Sequence, residues 1–452
     1  MTADQSSRLR RRAESARVRG VASEPALVDL LVLRAAEIAT PRGKAPLGGS
    51  ALGKIDVRPC AGVAIDAGTI RAVGPDEELR AKFRGRRELD ARGGTIVPGF
   101  VDAHTHPVFA GTREREFEMR TGGASYAEIA AGGGGILSSV RGLRAASREQ
   151  LLLGLLLRLD RFLELGTTTV EAKSGYGLSL EDEVKSLEVL AAAGRSHPVE
   201  IVPTFLGAHA VPEEYRDRRD AYVDLVVETM LPRVAEARLA EYCDVFSEAS
   251  YFDIDDSRRI LGRARELGLG LRVHADQLTS SGGAELAAEL GAATADHLEL
   301  ASPRGIEALA RARVIPVLCP VVPLYLRLEA EAPARAMIDA GLAPALSTDF
   351  NPGSCYLQSL PEVFVWAALR YRMSAAEVLT AGTLNAACSL GRGERLGTIE
   401  PGKDADLLVL DVPNHAHLVY ELGRNPVSAV VKRGRVVFER SGPVGGLRRD
   451  AV

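Results

Sequence analysis

Thr95-Ile-Val-Pro-Gly-Phe-Val-Asp-Ala-His-Thr-His106 is the stretch around which the rest of the chain is organised. Ile96 to Val101 is apolar and partly β-branched, the pattern of a buried strand. Strand side chains alternate between two faces, so Asp102, His104 and His106 project from the same one. Two imidazoles side by side at a strand end can chelate one metal ion. A pair of surface or hydrogen-bonded histidines is the alternative, and only ligands arriving from other strand ends decide between them.

Downstream, strand and helix patterns alternate, which argues for a parallel sheet. Further strands are predicted over 167–172, 200–206, 243–247, 269–275, 293–298, 314–319 and 343–348, eight with the first. Ser147-x-x-Gln150 and Ser374-x-x-Glu377 are capping boxes that open helices between or after them, and Ser302-Pro303 offers an N-cap followed by a proline at the first helical position. Eight such units predict an α/β fold, a (β/α)8 barrel over 97–397, with the active site at the C-terminal ends of its strands. Strand-turn-strand patterns lie on both sides of this block. One runs from Gly62 to Gly74, and its counterpart uses 406–411 and 429–438. Together, 27–96 and 398–440 predict one small β-sandwich built from both termini. The segments 1–26 and 441–452 read as tails; the first is basic and lacks the apolar core of a secretory signal.

The predicted strand ends carry the polar residues. They are His104 and His106 on strand one, Lys173-Ser-Gly-Tyr176 after strand two and His209 after strand three. His274-Ala-Asp-Gln277 ends strand five, Asp296-His297 lies on strand six and Asp349-Phe-Asn351 follows strand eight. The remaining histidines, His197, His415 and His417, fall in loop-like contexts and are expected to be solvated. His104, His106, His274 and Asp349 would supply three nitrogens and a carboxylate, a set suited to one divalent ion, zinc or iron, with a position left for water. Such an ion lowers the pKa of its water and makes hydroxide available near neutral pH. Taken alone, His274 reads equally well as a satisfied core histidine.

Composition narrows the field. The chain has 452 residues, and its net charge of −4 argues against a nucleic-acid partner. No apolar run reaches the roughly 18 residues of a membrane span. Five scattered cysteines, with no CxxC pair, fit a reducing, cytoplasmic compartment.

The order His-x-His, His, His, Asp on eight barrel strands resembles the amidohydrolase superfamily, as does the tail Gly397-Thr-Ile-Glu-Pro-Gly-Lys-Asp-Ala-Asp406. Closer motifs resemble its imidazolonepropionase family. They are His104-Thr-His-Pro-Val-Phe-Ala-Gly-Thr-Arg113, Phe117-Glu118, Ser125-Tyr126, Gly132 to Ile136, Lys173 to Leu178, Thr204 to His209, His274 to Gln277 and Thr348 to Gly353. The resemblance spans about Leu27 to Phe438. It implies hydrolysis of 4-imidazolone-5-propanoate to N-formimidoyl-L-glutamate in histidine degradation, a small-molecule substrate and a homodimer. It also implies the four metal ligands above and a substrate carboxylate on Arg113, where guanidinium binds in a bidentate fork. Tyr126, Tyr176 and His209 match substrate contacts, and Asn351, Gly353 and Ser354 match the loop holding the product's polar end. Without the resemblance, Arg113 reads as a solvated charge and the two tyrosines equally well as core.

The chain departs from the family in places. Phe350 stands where cysteine is frequent and is expected to alter pocket width; Ser354 stands for threonine; Gln277 stands where many members have glutamate. Lys173 invites a two-metal reading through a carboxylated lysine, but related barrels place that lysine after strand four, where this chain has Ser247-Glu248. Gln277 has no titratable proton, so the acid-base role falls to Asp349, with Gln277 binding the ring or its water and His297 orienting the attack or stabilising the oxyanion. The rival readings are a purine or pyrimidine deaminase and a barrel scaffold without catalysis.

Overall fold

Among the described residues, seven strands precede the barrel: Ala26–Leu33 (β1), Glu37–Thr40 (β2), Asp56–Pro59 (β3), Ala61–Asp66 (β4), Thr69–Pro75 (β5), Phe83–Asp90 (β6) and Thr95–Pro98 (β7). The barrel strands are Phe100–Asp102 (β8), Thr167–Lys173 (β9), Glu200–Ala208 (β10), Tyr242–Ser247 (β11), Gly270–Ala275 (β12), Thr294–His297 (β13), Ile315–Leu318 (β14) and Ala345–Leu346 (β15). Leu407–Leu410 (β16), Val427–Lys432 (β17) and Arg435–Glu439 (β18) follow. This computed structural model describes residues 24–124, 128–129 and 132–440. Of the expected tails, 1–23 and 441–452 lie outside the described residues, as does Tyr126. Ala26, assigned to the first tail, opens β1 instead.

β8 to β15 form one parallel sheet in sequential order. The chain's ends form two smaller sheets, ordered β18-β17-β16-β7-β2-β3 and β5-β4-β1-β6. Their facing sides share an apolar layer that includes Val32, Ile38, Val63, Ile96, Leu407 and Val431. The three expected helix starts are present: Ser147 and Ser374 head full capping boxes, and Ser302 caps the helix Pro303–Ala312.

The opening stretch, read as one strand, is two. Thr95–Pro98 pairs with β16 and β2 in the sandwich, whereas Phe100–Asp102 pairs with β9 in the barrel. Gly99 is the break. Its N–H donates to Asp406 O at 2.9 Å, and a Cβ there would stand 2.5 Å from Thr168 Oγ1. The two halves of the decisive stretch therefore couple the sandwich to the barrel through one glycine.

Closure between β15 and β8 rests on a side-chain clamp and one backbone bridge, Thr105 to Phe350. Asp102 accepts from Ser347 Oγ at 2.5 Å, Thr348 Oγ1 at 2.6 Å and Thr348 N at 3.1 Å, and His106 N donates to Phe350 O at 2.9 Å. Asp102 shares the histidine face as expected but serves as this clamp. Burial raises its carboxyl to about 6, against the pull of those donors.

The crowding at Gly99 gives a direct test. Gly99→Ala is expected to cost about 1–3 kcal/mol by overpacking. Thr168→Ala should relieve part of that cost in the double variant, as read from denaturant unfolding in a double-mutant cycle. Equal costs in both backgrounds would place the strain elsewhere.

Candidate metal centre and active site

At the C-terminal mouth of the barrel the alternation of each strand sorts side chains into layers. In β12, Arg272 and His274 share the interior face, as do Glu171 and Lys173 in β9. The lower residue of each pair belongs to a buried ionic layer, while His274 rises to the mouth.

His104 Nε2 and His106 Nε2 lie 3.2 Å apart, and Asp349 Oδ1 is 3.5 and 3.4 Å from them. The His274 ring centroid is 4.5 Å from that of His104 and 5.5 Å from that of His106. All four residues are buried. Two of the imidazoles are held from behind. His104 Nδ1 meets Asp296 Oδ2 at 2.6 Å, and His274 Nδ1 meets Asp244 Oδ2 at 3.0 Å. In His104 the carboxylate on Nδ1 keeps the proton there and leaves the Nε2 lone pair for the centre. Burial, reinforced by the Lys173 charge and the neighbouring imidazoles, holds His104 well below the usual histidine range. Burial also lowers His106, against the opposing pull of Asp349. Asp349 itself is lowered: burial would raise it, but His106 and His297 outweigh that. His104 and His106 held towards the neutral form beside the lowered Asp349 suit metal binding, so the donor set fits a divalent ion such as zinc or iron.

His104 and His274 also converge with His297 as a second possible triad. His297 differs from the other two in its surroundings, facing Glu299 at 3.7 Å. Burial alone would lower it, yet Glu299, with Asp349 and Asp296, raises it to about 9.

Beneath the centre lies the ionic layer. Lys173 Nζ is 2.8 Å from both Glu171 Oε1 and Asp244 Oδ2. Arg272 reaches Asp296 Oδ2 at 3.3 Å and Ala103 O at 2.7 Å. Burial would lower Lys173, but Asp244 and Glu171 outweigh it and raise the amine, keeping it an ammonium. Glu171, Asp244 and Arg272 escaped the sequence reading. The signal was present for Glu171 and Arg272, charged residues standing in apolar strands in step with Lys173 and His274.

The cavity above the centre, about 740 Å³ including its open mouth, brings together His106, Arg113, Tyr176, His209, Gln277, His274, His297, Asp349, Asn351 and Ser354. Ile136, Phe246, Leu278, Leu326 and Leu328 form its apolar wall. Such a volume suits a small molecule. Arg113 is 9% exposed, a pocket residue and not a solvated charge; its Nε and Nη2 donate to Glu116 Oε2 at 2.9 and 2.6 Å. Gly353 is not part of the cavity wall. It seats the arginine, since a Cβ there would stand 2.0 Å from Arg113 Nη1.

The other predicted residues divide between walls and struts. His209 Nδ1 meets Gly175 O at 2.9 Å, so its Nε2 is an acceptor, and burial holds it well below its ordinary range. The Gln277 backbone is anchored on Glu248 Oε1 at 2.8 Å. Asn351 spends its amide on the loop: Nδ2 donates to Asp349 O and Ser354 Oγ, and Oδ1 accepts from Gly353 N and Ser354 N. Phe350 does not set pocket width. It packs outward against Phe109, Phe162 and Tyr356. Nor are the three outlying histidines simply solvated, because each pairs with a carboxylate: His197 with Asp160, His415 with Glu37 and His417 with Glu421.

The sequence pattern described as "Amidohydrolase family" matches residues 95–437, and "Imidazolonepropionase-like composite domain, bacteria" matches 61–85. The imidazolonepropionase of Symbiobacterium thermophilum is 49% identical over 93% of this chain and 99% of its own. That of Solibacter usitatus is 48% identical over 91% and 99%. Among solved structures, E. coli guanine deaminase superposes with a TM-score of 0.70 at 16% identity, covering 91% of this chain and 99% of its own. An adenosine deaminase from Xanthomonas campestris with bound zinc gives 0.67 at 22% identity, covering 91% and 93%. At such identities these structures speak for the shared fold alone.

The carboxylates behind the histidines give the prediction for this site. Asp296→Asn should weaken metal binding about 10- to 100-fold, the usual cost of losing a partner behind a ligand. Chelator competition with zinc measures it. Unchanged affinity would mean that Asp296 serves only the ionic layer.

Proposed function

The chain belongs to the imidazolonepropionase family of the amidohydrolases, and we propose that its pocket opens the ring of 4-imidazolone-5-propanoate by hydrolysis, giving N-formimidoyl-L-glutamate. This is the chemistry of a metal-dependent C–N hydrolase of histidine degradation. The observation that carries the assignment of roles is one cavity lined by the imidazoles of His106 and His209, both lowered by burial, the carboxylate of Asp349 and the guanidinium of Arg113.

His104, His106, His274 and Asp349 hold the ion in this reading. A divalent ion there supplies Lewis acidity and lowers the pKa of water towards neutrality. Arg113 takes the propanoate and fixes the ring relative to Asp349. Tyr176, His209 and Gln277 surround the ring, and Asn351, Gly353 and Ser354 shape the loop around its polar end. Tyr126 joins them on the family resemblance alone. Asp349 accepts a proton from the water that attacks the ring carbonyl and delivers it to the departing ring nitrogen. His297 donates to the oxygen on which negative charge develops. Water is added across one carbon–nitrogen bond, and no ammonia leaves. Gln277 supports hydrolysis over deamination, because an amide cannot shuttle a proton to a leaving amine.

A single ion per chain is favoured by Lys173, whose ammonium is bound between Glu171 and Asp244 and so is not the neutral amine that carboxylation needs. Zinc and iron both suit the donors, and elemental analysis separates them. A cytoplasmic homodimer completes the proposal. No helix among the described residues is long and apolar enough to cross a membrane. Leu153 and Leu157, each 62% exposed one turn apart, are surface that a second copy can cover.

Incubation with imidazolone propanoate, following ring absorbance and assaying both products, tests the reaction: formimidoylglutamate without ammonia is expected. Ammonia as the primary product would overturn the hydrolase reading. Arg113→Ala should weaken substrate binding by about 2–5 kcal/mol, with Arg113→Lys recovering only part because ammonium lacks the planar fork; an unchanged KM returns Arg113 to a structural role. With metal content matched, His297→Asn should lose about 10²–10³ in kcat and Asp349→Asn more. Near-normal kcat in metal-loaded Asp349→Asn would remove it as the base.

A further inference from the structure

Glu299 lies two residues beyond His297, and its side chain is fully buried. Neither of its carboxylate oxygens has a hydrogen-bond partner among the described residues, and neither does His297 Nδ1. The two groups face each other at 3.7 Å, too long for a hydrogen bond but within ion-pair reach. Among the described residues no other cation stands within ion-pair distance of Glu299. Burying a carboxylate with so little compensation is unfavourable. A core residue chosen for stability would find donors, as Asp276 does with the N–H groups of Ser281, Gly282 and Ala284.

The backbone between the two residues is also unfavourable. His297 has φ 76° and Leu298 φ 68°, consecutive side chains in the left-handed region. Two bonds to the end of β12 hold this turn: Leu298 N donates to Ala275 O at 3.0 Å, and Leu300 N donates to Asp276 O at 2.8 Å. Strain held in place by its surroundings marks a position fixed for use. The turn brings the carboxylate behind the Nδ1 edge of an imidazole that also lines the active cavity.

We propose that Glu299 is the positioning residue of His297, holding the ring from behind so that it points a donor at the oxygen of the reacting carbonyl. Glu299 does not touch the substrate. It acts as the third group behind an imidazole acts in other catalytic sites, by fixing orientation. The inference rests on the role given to His297 above.

Steady-state kinetics of Glu299→Gln, His297→Asn and the double variant, each assayed for metal content, test it. Glu299→Gln is expected to keep its metal and a KM within about two-fold while kcat falls about 10- to 100-fold. In the His297→Asn background the same substitution should cost no further rate. Glu299→Asp, which keeps the charge and covers the case of a poorly folding amide variant, should fall between wild type and Glu299→Gln, or below wild type where that variant cannot be made. A kcat within two-fold of wild type in Glu299→Gln, or an equal loss in both backgrounds, would overturn the proposal while leaving His297 in its role. A His297→Asn variant of unchanged kcat would overturn that role first, and the proposal with it.

Discussion

Charge neutralisation inside the barrel is the constraint on which the site depends. Lys173 and Arg272 meet Glu171, Asp244 and Asp296 in a layer with no access to water. Two cations against three carboxylates leave one negative charge directly below the histidines, and Asp349 adds another above. The excess is complementary to a cation. Buried ion pairs seldom stabilise a fold relative to well-packed apolar residues, because desolvation cancels much of the attraction. What this layer supplies is orientation. Asp244 carries Lys173 on one side and His274 on the other, and Asp296 likewise joins Arg272 to His104. His104 thus receives its tautomer from a carboxylate that a buried cation holds in place, and His274 faces another such carboxylate.

The scaffold serves the same end. β8 is only three residues long, and the histidines follow it outside regular pairing. Their position depends on the Asp102 clamp to Ser347 and Thr348 and on the bond from His106 N to Phe350 O. The clamp ties strand one to strand eight just before Asp349, so ligands from both ends of the barrel sequence meet at its seam. Buried carboxylates repeat this role around the mouth. Glu183 accepts from the N–H groups of Gly175, Gly177 and Leu178 and so shapes the Tyr176 loop, while Glu248 holds Gln277. Loops that surround a pocket are usually mobile; these are folded around internal anions.

The convergence of the candidate site residues was legible because two periodicities agreed. Strand alternation put His104 and His106 on one face, and the alternation of strands with helices put His274, His297 and Asp349 at the same end of the barrel. The break at Gly99 was not legible, since residues on both sides are apolar strand formers and only the Thr168 contact reveals it. The partners of Lys173 were hidden for another reason. Asp244 and Asp296 lie on other strands, β11 and β13, and meet Lys173 of β9 only across the barrel interior. Phe350 was misread because the residue after Asp349 was placed in the pocket, whereas the left-handed backbone of Asp349 (φ 50°) precedes a ring directed into the core.

The most direct test of this account is anomalous diffraction from crystals of the purified protein, recorded at the zinc and iron edges. The account predicts one peak per chain, about 2.0–2.2 Å from nitrogens of His104, His106 and His274 and from a carboxylate oxygen of Asp349, with Lys173 unmodified. A second peak bridged by Lys173, or a single peak ligated by His297 in place of His106, would contradict it.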